Sequence, residues 1–336
     1  MIMNNIFQRS FTKIGIFGLF LMMTLYGCRR AEPSGPGGLF RFDAWLTTWP
    51  ARDCGDSLKN RYPELVPFFS VYNNQVIGIG PDTMPGYPGR LLEFLQDPSV
   101  SETYRIIRTN QSHFQNILKE TVRSLSRIRK VLPDVAVPAV VTFIGGFNQT
   151  FVTLPGILGI GLEHYLGDTC SLYPRLGMPG YLLTQTHPEN LPADAVRAWI
   201  SSEMPEPTPG STFLDHLVHE GILYYLSERV LKGKVTGNLF HQTEGQSDWC
   251  RENEKAMWKF LVQNEILFST DRFTIRRFFD EAPFTRDYGQ DSPGQAGKWI
   301  GYRLVASYVK KTRCRPAELL RETDSRKILS LAGYHP

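Results

Sequence analysis

Residues Thr212–Val230 (TFLDHLVHEGILYYLSERV) spell one long helix that is apolar on more than one face. Phe213, Leu214, Leu217, Val218, Ile222, Leu223, Tyr225 and Leu226 run round the helix rather than along a single stripe. That is the pattern of a helix buried on several sides. A chain carrying it must pack other elements around it, so this helix is expected at the centre of the fold.

The surrounding sequence supplies those elements. Between Ser112 and Val131, apolar residues recur every three or four positions, which predicts a long amphipathic helix. Its Lys and Arg residues read as a solvated face. Shorter helical patterns fall at Leu65–Phe69, Leu91–Leu95 and Ala193–Ser201, and strong ones at Trp249–Phe268 and Gly294–Lys311. Residues 39 to about 132 read as mainly helical. Val137–Phe143 and Thr150–Leu154 are β-type runs around the turn signal Gly145-Gly146. The glycine-rich stretch Gly156–Gly167 implies close approach of backbone to backbone. The expected class is α+β, mainly helical, with a small β-sheet beside a central helix.

The N-terminus fixes an expected location. Arg9 and Lys13 precede an apolar run from Ile14 to Tyr26 of about 13 residues, short of the roughly 20 needed to span a bilayer. This is the h-region of a signal peptide. It ends in Leu25-Tyr26-Gly27-Cys28, which looks like a lipobox with Cys28 as the acylated residue. The expected organisation is a signal peptide over residues 1–27, a lipidated flexible tether over 28–38, and one globular domain over 39–336. Such a protein is held to the cell envelope by its lipid. Arg29, where inner-membrane retention would use Asp, points to the outer membrane, facing the periplasm. With Arg9 and Lys13 removed, 37 bases become 35 against 33 acids, and a near-neutral chain has no electrostatic case for nucleic acid. The envelope permits disulfides among Cys54, Cys170, Cys250 and Cys314, with three full pairings open.

Chemistry concentrates on the central helix. His219-Glu220 begins the zinc-peptidase motif H-E-x-x-H, in which two imidazoles four residues apart bind one Zn²⁺ and the Glu activates its water. Here the position four after His219 is Leu223, a hydrocarbon. His216 is a partial substitute, about 60° from His219 around the helix. A third ligand is available in Asn253-Glu254 on the next strong helix. The rearranged set His216, His219 and Glu254, with Glu220 as general base, is the zinc-hydrolase alternative. The structural reading is a polar cluster of Asp215, His216, His219 and Glu220 joined by hydrogen bonds, and no cofactor is expected. Ser292-Pro293-Gly294 reads as a helix start.

Many of these segments resemble the gliding-motility lipoproteins of the GldB type. The resemblance is carried by Arg61-Tyr62-Pro63, Phe68-Phe69 and Gly145-Gly146-Phe147-Asn148. It continues through Leu158–Gly167 (LGIGLEHYLG), Tyr173-Pro174 and Val218-His219-Glu220-Gly221. Trp258, Asn264, Asp291–Gly294, Gly297, Trp299–Tyr302 and Ser307-Tyr308 complete it. It implies an envelope lipoprotein needed for gliding and the associated secretion machinery, with other envelope proteins as partners. With the broken motif, it implies a zincin-like core, a degenerate gluzincin, acting as a non-enzymatic assembly component. Glu163, His164 and Tyr224 are candidate cleft residues, with Asp168 beside them.

Overall fold

The computed structural model describes residues 38–48, 53–232 and 239–336. Cys28, the expected signal peptide and all of the tether but Gly38 lie outside those residues. The strands are β1 (Leu39–Arg41), β2 (Ala139–Phe143), β3 (Phe151–Leu154) and β4 (Ile157–Gly161). They form one mixed sheet in the order β1-β2-β4-β3. β1 and β4 both run parallel to β2, with Val140 opposite Leu39 on one side and Leu158 on the other. β3 returns antiparallel on β4 and is an edge strand.

Both faces of the sheet are covered, and strand alternation divides their side chains between two cores. Val141, Phe143 and Val152 enter an N-terminal core with Phe40, Phe42, Phe68 and Tyr72. Phe42 meets Phe68 edge-on at 5.4 Å and Tyr72 at 4.9 Å. Helix α1 (Val66–Val71) supplies Phe68 and Phe69 to it. Gly159 on β4 makes room for this core, because a Cβ there would come within 2.6 Å of the Phe68 ring. On the opposite face, Val140, Leu158 and Ile160 join the larger helical core.

The helices that build the larger core are α2 (Gln111–Ser126), α3 (Leu191–Ser202), α4 (Phe213–Leu231), α5 (Glu244–Gln263), α6 (Ala296–Thr312) and α7 (Ser325–Ala332). α4 is the expected central helix, and 12 of its 19 residues are buried. A capping box starts it: Asp215 N–H donates to Thr212 Oγ1 at 3.3 Å, and Thr212 N–H donates to Asp215 Oδ2 at 2.7 Å. It ends at Lys232, whose φ is 49°.

The layers run from sheet to α3 to α4 to α6 to α7. The sheet therefore reaches α4 chiefly through α3. α5 packs against α6 rather than chiefly against α4. α4 and α6 approach closely at Gly221 and Gly301: a Cβ on Gly221 would lie 2.2 Å from the Gly301 carbonyl oxygen.

Three element assignments are corrected. Residues 39–41 are a strand, not part of a helical region. The long helix expected to Val131 stops at Ser126 and resumes as a short turn at Ile128–Val131. α5 begins at Glu244 rather than Trp249, because Thr243 and Gln246 form a capping box five residues earlier. Cys54, Cys170, Cys250 and Cys314 are all unpaired.

Candidate functional site

The polar residues of α4 do not form the hydrogen-bonded cluster expected of them. Asp215 turns to Thr212 and to Ser325 on α7. Burial alone would raise its pKa, but these hydrogen bonds hold it below the usual carboxylate value. The His216 ring lies against Phe279, with centroids 6.2 Å apart. Burial, then the nearby His219, lowers its pKa. His219 borders a cavity of about 360 Å³ with Asp215, Glu206 and Glu322. Among the described residues its Nε2 has no hydrogen-bond partner, and it stands 3.9 Å from Glu206 Oε2.

Glu254 is occupied elsewhere. Its Oε1 accepts from Arg303 Nε at 2.9 Å and from Tyr334 OH at 2.6 Å. Leu223 is buried, 6% exposed. Among the described residues, no three His, Cys, Asp or Glu side chains come together as a metal ion would require. Glu254 itself is held by Arg303 and Tyr334.

Glu163 and His164, adjacent after β4, separate into different roles. Glu163 is fully buried, and its Oε1 accepts from Gly145 N–H at 2.6 Å and Phe147 N–H at 3.2 Å. It thereby pins the Gly145–Asn148 turn, where Phe147 has φ 67°. Its Oε2 has no partner, and burial pushes its pKa up to about 7. His164 faces a second cavity, of about 440 Å³. Burial lowers its pKa to about 4, so the ring is neutral, with one nitrogen bonded to the Gln149 backbone and Nε2 left without a partner. Tyr224 is buried beneath Phe240, the rings stacked at 4.6 Å. Asp168 stands 3.5 Å from His187 at the surface.

The densest polar constellation lies around this second cavity. Asp194 and Arg197 come from α3, His241 from the loop before α5, and Tyr165 from the turn after β4. Asp194 Oδ1 is 2.8 Å from both His241 Nε2 and Arg197 Nη2, and Oδ2 accepts from Tyr165 OH at 3.0 Å. Burial opposes the charge on Asp194, but Arg197 and His241 outweigh it and hold the carboxyl below its usual value. Arg197 Nη1 donates to the Leu239 carbonyl at 2.9 Å. The guanidinium lies 5.2 Å from the Tyr224 ring centroid. Burial would lower its pKa, yet Tyr224, Asp194, Tyr165 and Glu220 together raise it. Glu220 acts electrostatically on both Arg197 and His216, while His219 borders the other cavity.

His241 also borders two further cavities, of about 250 and 360 Å³. All three have His241 in their walls. Asp194 and Arg197, an i,i+3 pair on a helix, could have been noticed in the sequence. His241 could not, because nothing in its spacing ties it to Asp194, 47 residues away.

A family model described as gliding motility protein GldB matches residues 39–336. The chain belongs to the GldB family. No curated protein and no solved structure matches it. In this GldB-family chain, two of the segments carrying the resemblance border cavities that share His241: His164 and Tyr165 line one, Pro293 and Gly294 another. The Gly145–Asn148 segment is the turn that Glu163 holds. Among the described residues, no helix is long and apolar enough to cross a membrane.

Proposed function

We propose that this chain is a non-catalytic component of the gliding apparatus. On this reading it is lipid-anchored through Cys28 at the outer membrane, facing the periplasm, and supports assembly of the motility machinery and its associated secretion system. Family membership supplies the gliding role. The observation that carries the non-catalytic reading is the state of Glu254, whose carboxylate is shared between Arg303 and Tyr334. With Leu223 presenting only hydrocarbon, His219 has neither an i+4 imidazole nor a carboxylate ligand from the next helix.

The test is Glu220→Gln in the native gene, scored for gliding and secretion at matched protein levels. Both should stay near wild type, and protein purified without added metal should lack stoichiometric zinc. Loss of gliding at normal protein level, together with one zinc per chain, would establish the metal-dependent hydrolase instead.

A further inference from the structure

The cavity beside His164 is rich in acceptors and poor in charged donors. Glu281 borders both this cavity and the neighbouring one, and it forms no ion pair among the described residues. Asp194 also borders it, with its carboxylate already engaged by Arg197, His241 and Tyr165, and Thr150, Gln185 and Thr186 add neutral oxygens. The one guanidinium in the wall, Arg197, has Nη1 committed to the Leu239 carbonyl and Nη2 to Asp194. Among the described residues, no lysine borders the space. An anion entering here would meet no uncommitted cationic side chain among those residues, and it would meet the carboxylate of Glu281.

The apolar part of the wall has a matching shape. Phe151, Met178 and Leu182 flank the same cavity, whose volume of about 440 Å³ exceeds that of one long side chain. Long basic side chains bury an aliphatic stem against apolar surface and present a charged head to acceptors. Charge-assisted hydrogen bonds to such a head are about twice as strong as neutral ones.

We propose that this cavity binds a guanidinium or alkylammonium group, with its stem on Phe151, Met178 and Leu182 and its charged head at the carboxylate of Glu281. The group comes either from an Arg or Lys side chain of a protein partner or from a small free cation. This site is separate from the cavity at His219, and its occupancy does not depend on whether α4 supports catalysis.

The experiment uses the full chain in detergent and titrates it with N-acetyl-argininamide, N-acetyl-lysinamide and, as the uncharged control, N-acetyl-leucinamide, followed by calorimetry. Saturable binding of a cationic probe without binding of the leucine probe is expected. Glu281 lies on the surface, so Glu281→Gln and Glu281→Lys should fold normally, which thermal melts would verify. The first should weaken binding by about tenfold, the loss of one charge-assisted hydrogen bond, and the second should abolish it. Absence of saturable binding, equal binding of the leucine probe, or affinity unchanged in Glu281→Lys would each overturn the proposal. Comparison of a Gly/Ser peptide bearing one arginine with the free probe then assigns the source. Tighter binding of the peptide identifies a protein partner, and equal binding a small cation; either result supports the site.

Discussion

Glu163 carries a carboxyl that the fold prefers to keep protonated. The unfolded chain titrates it near 4.5, and burial raises it to about 7 in the folded state. Between those values the native state binds more protons than the unfolded one, so stability falls as pH rises through this window and levels off above it. A shift of this size corresponds to about 3 kcal/mol across the window. Glu163→Gln keeps an oxygen for Gly145 and Phe147 but cannot ionise. Urea denaturation at about pH 5 and about pH 8 should show a smaller decline in the variant than in wild type; equal declines would mean that Glu163 is not the titrating group. At this scale the sequence is informative about identity and silent about partnership. Asn253-Glu254 stands out as a carboxylate on a helix, yet its role is decided by Arg303 and Tyr334, 49 and 80 residues away.

Among the elements, the α4–α6 crossing is the least forgiving. A Cβ on Gly301 would lie 2.1 Å from the Leu217 carbonyl oxygen, and the facing Gly221 is equally tight. Backbone atoms cannot swing aside as a side chain can, so Gly301→Ala must push the helices apart. The expected cost is about 2–4 kcal/mol, seen as a melting temperature lowered by roughly 5 °C or more. A melt within about 1 °C of wild type would show that the two helices tolerate separation. The strongest helices were readable because their burial is written in local periodicity, as in α2 and α4. β1 was not: it has three residues, and its partner β2 lies about a hundred residues downstream. The start of α5 was written in the sequence as Thr243-x-x-Gln246, but the apolar pattern that begins at Trp249 concealed it. The interruption at Arg127 has no glycine or proline to announce it.

Taken as a whole, the molecule is a helical body fused through one sheet to a smaller aromatic core. The element that begins the described residues, β1, lies within that sheet rather than apart from it. An anchor at Cys28 would therefore join the body through a short run of chain leading directly into a strand. Cys28→Ala should shift the protein from the membrane to the soluble fraction without altering its melting temperature; retention in the membrane fraction would point to a different attachment. The class was legible from composition and pattern, whereas the layer order was not, because the placement of α3 between sheet and α4 depends on contacts between distant segments. The same arrangement governs how the protein comes into being. A polypeptide is delivered N-terminus first, so Phe40, Phe42, Phe68 and Tyr72 emerge long before Val141, Phe143 and Val152 arrive to cover them. During that interval the nascent chain presents an aromatic, adhesive surface without the sheet residues that complete its core. Its maturation should accordingly depend on a holding chaperone at the site of emergence, and it is the newly made chain, rather than the finished fold, that is most exposed to aggregation.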